Sequence, residues 1–157
     1  MSLLRGLLRG AAAGAAGTTV LNAVTYLDMA IRGRAASSTP QDTVTELADL
    51  VGVGIPGEGA QRDNRVEGLA PLTGILAGVG MGALLGGVRA AGLRRGMLAG
   101  TASATLLALV GTNGPMTLLG ITDPRTWSRA DWIADVVPHA AYGAVTAAVL
   151  HGLDDGA

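Results

Sequence analysis

The chain has 157 residues, one domain's worth, with 25 glycines, two tryptophans, no phenylalanine, no cysteine and a formal charge of −1. The lack of cysteine excludes disulfides, thiolate catalysis and cysteine-ligated metals, and arginines that form no long cluster argue against a nucleic-acid partner. A mean hydropathy of +0.43 with so few aromatic fillers suits a tightly packed helical membrane bundle better than a water-soluble core.

All eleven basic residues are arginine. With the Ala, Gly, Val and Leu bias, this points to a high-GC bacterial genome and hence to a bacterial cytoplasmic membrane. Apolar length and charge together predict an all-α protein with four transmembrane helices and one short extramembrane helix, a single domain over residues 1–157.

The first predicted span covers residues 10–31, rich in Ala and Gly at its start and carrying Asn22 and Asp28. A cleaved signal peptide is the competing reading, but the apolar run is long and no small-x-small site follows closely. Gly6, Gly10 and Gly14 recur there at a spacing of four.

Residues 32–68 form the predicted extramembrane connection. Thr39-Pro40-Gln41-Asp42 reads as an N-cap, a proline at the first helical position and an acid three residues after the cap. Val44, Leu47, Ala48 and Val51 then fall on one helical face, and Gly52 ends the helix. This amphipathic helix is expected to lie on the bundle or on the membrane surface. Its acidic polar face, with Asp42, Glu46 and Asp49, disfavours anionic lipid. The glycine-rich run 52–59 lacks the Gly-Lys-Ser/Thr ending of a phosphate loop and reads as a plain turn.

The second span, residues 69–88, is the clearest. It is uncharged throughout and places Gly74, Gly78, Gly82 and Gly86 at a strict spacing of four, a flat face that another backbone can approach. Gly96, Gly100, Ala104 and Ala108 repeat the pattern in the third span, residues 97–121, and Ala140, Ala144 and Ala148 in the fourth, residues 132–150. These ladders serve either to pack the four helices of one chain or to meet a second copy or a partner subunit. Arg89, Arg94 and Arg95 crowd the short connection between the second and third spans, which by the positive-inside rule places both termini in the cytoplasm.

Thr112-Asn113-Gly114-Pro115 is expected to interrupt the third span, because Pro115 has no N–H to offer the carbonyl of Gly111. In the fourth span Asp131, Asp135, His139, Tyr142 and Thr146 share a helical face. Ser128 with Asp131 makes a capping box, and Trp127 and Trp132 suit an interfacial position. Depth in the membrane brings Asp28, Asn113, Asp135 and His139 together as a candidate intramembrane polar cluster, which Tyr142 joins by sharing the helical face of Asp135 and His139.

Three readings of that cluster compete. It is structural glue between helices, a proton- or solute-handling site, or a metal site, the last with thin ligation since His151 lies at the other membrane face. No nucleophile elbow and no HExxH motif is present, so neither an enzyme nor a cofactor is called for.

Gly114-Pro115-Met116, Leu119-Gly120-Ile121-Thr122-Asp123-Pro124, Trp132, Asp135, His139 and Tyr142-Gly143 together resemble the C-terminal half of the YagU-like small inner-membrane proteins. Those show a Pro-Met-Gly-Leu-Thr-like turn, then a Trp, an acid and a Gly-His pair before an aromatic. Here Pro138 stands where the family has glycine. The resemblance implies a bacterial inner-membrane protein in which Asp135 and His139 matter, and it supplies no reaction. The function expected is a non-enzymatic, self-associating or accessory membrane subunit, with proton, ion or small-solute permeation as the alternative.

Overall fold

The computed structural model describes residues 2–155. Its α-helices follow in the order α1 (Leu3–Arg32), α2 (Thr39–Leu50), α3 (Ala60–Ala90), α4 (Met97–Leu118) and α5 (Arg129–Asp155). A 3-10 turn at Pro124–Thr126 precedes α5, and no strand occurs among the described residues.

Local chemistry sets the helix ends. Ser2 caps α1 by accepting from the Arg5 N–H. Ser128 and Asp131 cap α5 reciprocally: Asp131 accepts from the Ser128 N–H at 2.9 Å, and Ser128 Oγ accepts from the Asp131 N–H at 3.2 Å. α4 stops at Leu118, three residues short of the expected end at 121. Gly120 takes φ +73°, its N–H reaches the Thr117 carbonyl, and the Ile121 N–H reaches the Met116 carbonyl at 2.9 Å. This reversal consumes the orphan carbonyls of the last turn, and glycine alone enters it without strain.

Two boundaries depart further from expectation. α3 begins at Ala60, within the stretch read as a connection, so its first turns form a polar extension ahead of the apolar segment. α2 starts on Ser38 as N-cap, one residue before the expected Thr39, and packs on that extension. Val44 and Val66 are buried where the two elements meet, and Gln41 donates to Glu67 at 3.3 Å. The extension is helical because α2 covers it.

The four long helices run up and down. α1 lies between α3 and α5, α4 packs on α5, and α3 meets α4 only lightly. α1, with 30 residues, is about 45 Å long, enough to cross a bilayer with tilt. By length and composition, however, two helices are apolar enough to cross a membrane: Ala60–Ala90 and Arg129–Leu153. α1 and α4 are long enough but fall short in apolarity, α1 through its glycines and threonines with Asn22 and Asp28, α4 through its glycines and threonines with Asn113.

The bundle is small-residue and polar inside, apolar outside. Ala13, Ala104, Ala108, Thr18, Tyr142 and Thr146 are buried, whereas Leu76, Leu98, Val110 and Leu118 are 67–90% exposed. A water-soluble bundle buries its large aliphatic residues. Here they face outward, as they do where the surroundings are lipid.

Candidate functional site

Two features occupy the interior: a glycine-lined seam between α1 and α3, and a polar cluster between α4 and α5. Gly6, Gly10 and Gly14 of α1 face Gly86, Gly82 and Gly78 of α3 in antiparallel order. A Cβ added at Gly10 would overlap the Gly82 carbonyl, and one at Gly82 would meet the backbone of Gly14. Bare backbones therefore touch along two helical turns, giving the dispersion contacts that hold helices together in lipid. Gly74 does not belong to this seam: it is exposed, with nothing within 4 Å of its Cβ position. A spacing of four advances 40° per step, so the ladder has turned about 120° from Gly86 by the time it reaches Gly74, which leaves α1 behind.

Tyr142, grouped with the ionisable cluster by its helical face, serves this seam instead. Its hydroxyl donates to the Gly78 carbonyl at 2.7 Å, and its ring lies against Gly17 of α1. At 1% exposure it fills the junction of α1, α3 and α5, with Thr146 directed at the Ala13 carbonyl. On α5 the buried positions are Pro138, Tyr142, Gly143, Thr146, Ala147 and Leu150, while Ala144 and Ala148 of the expected ladder are exposed.

The polar cluster is built by α4 and α5 alone. Their close approach is set by Gly143, whose Cβ position is filled by Thr105 and the Thr101 carbonyl, and by Gly100 against Ala147. Beyond these contacts Thr112 and Asn113 of α4 come level with His139 and Asp135 of α5. Asn113 Nδ2 donates to Asp135 Oδ2 at 2.9 Å. His139 Nδ1 lies 2.7 Å from the Asp135 backbone carbonyl and 3.5 Å from Asp135 Oδ1. Its Nε2 lies 3.2 Å from Thr112 Oγ1. The side chains are 12% exposed for His139 and 19% for Asp135. Sequence reasoning named Thr112 only as part of a helix interruption; its place four residues after Ala108, on the face toward α5, is the signal that marks it.

These distances constrain the protons. A carbonyl only accepts, so Nδ1 of His139 carries hydrogen. The Thr112 hydroxyl has one hydrogen and two acceptors, Nε2 of His139 and the Ala108 carbonyl at 2.9 Å. With a neutral ring the hydroxyl serves Nε2. With a cationic ring Nε2 donates to Thr112, whose hydroxyl turns to Ala108. The cluster thus accommodates either charge state of His139 by one hydroxyl rotation, with the Asp135 carboxylate beside the cation.

Asp28 stands apart from this cluster. It pairs with Arg32 at 3.3 Å and with Arg34 around the C-terminal end of α1. Depth placed it at the correct end of the bundle, but its rotation on α1 and the two arginines hold it at the helix terminus. Nor does Pro115 interrupt α4: the helix continues through it to Leu118, because the break falls in the last turn, where few bonds remain to lose. Among the described residues no three His, Cys, Asp or Glu side chains gather as a metal ion would require.

Comparison with known protein families, with curated proteins and with solved structures gives no match.

Proposed function

We propose that the chain is a four-span protein of a bacterial inner membrane, with both termini cytoplasmic, acting as a non-enzymatic accessory subunit that associates laterally with a second copy or a larger assembly. One observation carries this reading. Leu72, Leu76, Gly80, Leu84 and Val88 form an exposed stripe at four-residue spacing along α3, beside a seam already occupied by α1. Only 17% of the apolar window of α3 is buried within the chain, so most of this helix is left for lipid or another protein. The resemblance to the YagU-like proteins supports the same compartment.

The experiment separates folding from association. Gly78 and Gly82 cannot serve, since α1 covers them. Gly80 has open space around its Cβ position, so Gly80→Leu leaves the fold intact. Native mass spectrometry of protein extracted in mild detergent is expected to show a defined oligomer or partner mass for the parent chain and its loss in Gly80→Leu. A monomer for both removes the basis of this reading.

The cluster of Thr112, Asn113, Asp135 and His139 favours a second reading, permeation of protons or a small solute. Its motivation is an imidazole whose Nε2 faces a hydroxyl able to donate or accept and whose Nδ1 faces the Asp135 carbonyl. Flux in proteoliposomes that survives Asp135→Asn and His139→Ala unchanged would eliminate it and leave the cluster as interhelical glue.

A further inference from the structure

We infer that α2 is an interfacial helix, seated in the membrane–water boundary with its outward apolar side chains among lipid acyl chains. The inference rests on the membrane-spanning reading above and adds a surface that reading does not use.

The apolar band of α2 is split by its packing. Val44 turns in against the α3 extension and is buried, whereas Leu47, Leu50 and Val51 stay exposed, Leu50 at 70% and Val51 at 66%. Val53, just past the helix, is 64% exposed. Four apolar side chains close together on a short extramembrane segment need a cover.

Height identifies that cover. Gln41 of α2 bonds Glu67, two residues before the apolar segment of α3 begins at Leu69. On its other side α2 shares a pocket with the end of α4: Asp42, Thr45 and Glu46 line it with Leu119, Gly120 and Ile121. α2 is therefore flanked by the point where α3 enters the apolar layer and the point where α4 leaves it. Trp127 and Trp132, which stack edge to face at 5.0 Å, belong to the segment that leads into α5 at this same end, as aromatic residues do at a bilayer boundary. Asp42, Glu46 and Asp49 form the polar side. A helix so charged suits zwitterionic lipid, since an anionic surface would repel it.

The natural absence of cysteine makes the test direct. Single cysteines at Leu50, Val53, Asp49 and Ala144 are labelled with an environment-sensitive fluorophore in phosphatidylcholine vesicles. Leu50 and Val53 labels are expected to shift to the blue and to be quenched by shallow doxyl lipids, while the Asp49 label is quenched by aqueous iodide. Labels at Leu50 and Val53 that behave like the one at Asp49 overturn the inference. Protection of both from lipid and aqueous quenchers means that protein covers α2 and overturns it as well. The Ala144 label, on the exposed side of mid-α5 and outside the α3 stripe, is the separate control: if doxyl lipid fails to quench it, the membrane-spanning reading itself falls.

Discussion

The Tyr142 hydroxyl donates to the Gly78 carbonyl at 2.7 Å and so ties α5 to the one stretch of α3 where backbone lies bare against α1. Three helices meet at that bond. The phenol fills the space that Gly17 and Gly78 leave open, so a large residue is essential to a seam made of absent side chains. Tyr142→Phe keeps the ring and removes one bond, at an expected cost of about 0.5–1.5 kcal/mol. Tyr142→Ala leaves a cavity and is expected to cost about 3–5 kcal/mol, as for other large aromatics. Reversible unfolding in mixed micelles measures both.

The two glycine faces of α3 are expected to respond differently. Gly82→Val forces a branched side chain against the backbone of Gly10 and Gly14, with no flexible side chain to yield. Overpacking of this kind costs about 1–3 kcal/mol, and backbone on the opposing side places it at the upper end. Gly74→Leu meets open space and is expected to leave the unfolding free energy unchanged.

Asn113→Leu is expected to destabilise the α4–α5 pair by about 1–3 kcal/mol, because it strips the partner from a carboxylate that is 19% exposed. Asp135→Asn keeps an acceptor for Asn113 and is expected to be milder. Equal losses from the two would show that the carboxylate charge, rather than the hydrogen bond, holds the helices.

Much of this was readable in the residues, and what was not has physical causes. The capping box of α5 and the start of α2 are local, decided by side chains within four residues of each other, and both lie within a residue of expectation. The α3 extension carries a mixture of Arg, Asp, Asn and Glu with no apolar period; it is helical through Val66 and its contact with Val44 of α2, which no local pattern announces. Depth brought Asn113, Asp135 and His139 to one level, and the structure adds Thr112. Depth does not fix rotation, so Asp28 falls with them although it belongs to an arginine pair. A shared helical face does not fix the neighbour, so Tyr142 falls with them although it belongs to the glycine seam.

The turn between α4 and α5 has its own acid sensitivity. The Arg125 guanidinium and its backbone N–H, both bonded to Asp123, hold that carboxyl below its ordinary value. A depressed carboxyl stabilises the turn above the unfolded-state pKa, and that contribution fades as pH falls through the lower folded-state value. Trp127, whose indole N–H donates to Thr122 at 2.9 Å, reports the loss. Its fluorescence is expected to change on acidification below the ordinary aspartate range, and Asp123→Asn should abolish the transition.

Whether all four long helices cross the membrane is decided most directly by sidedness. Single cysteines at Ser2, Ser37, Leu93 and Thr126 are probed in intact cells with a membrane-impermeant maleimide, then again after permeabilisation. The account predicts labelling of Ser37 and Thr126 from outside, with Ser2 and Leu93 reached only after permeabilisation. Leu93 and Thr126 reacting from the same side would show that α4 does not cross, and Ser2 reacting together with Ser37 would show the same for α1; either result contradicts the four-span bundle.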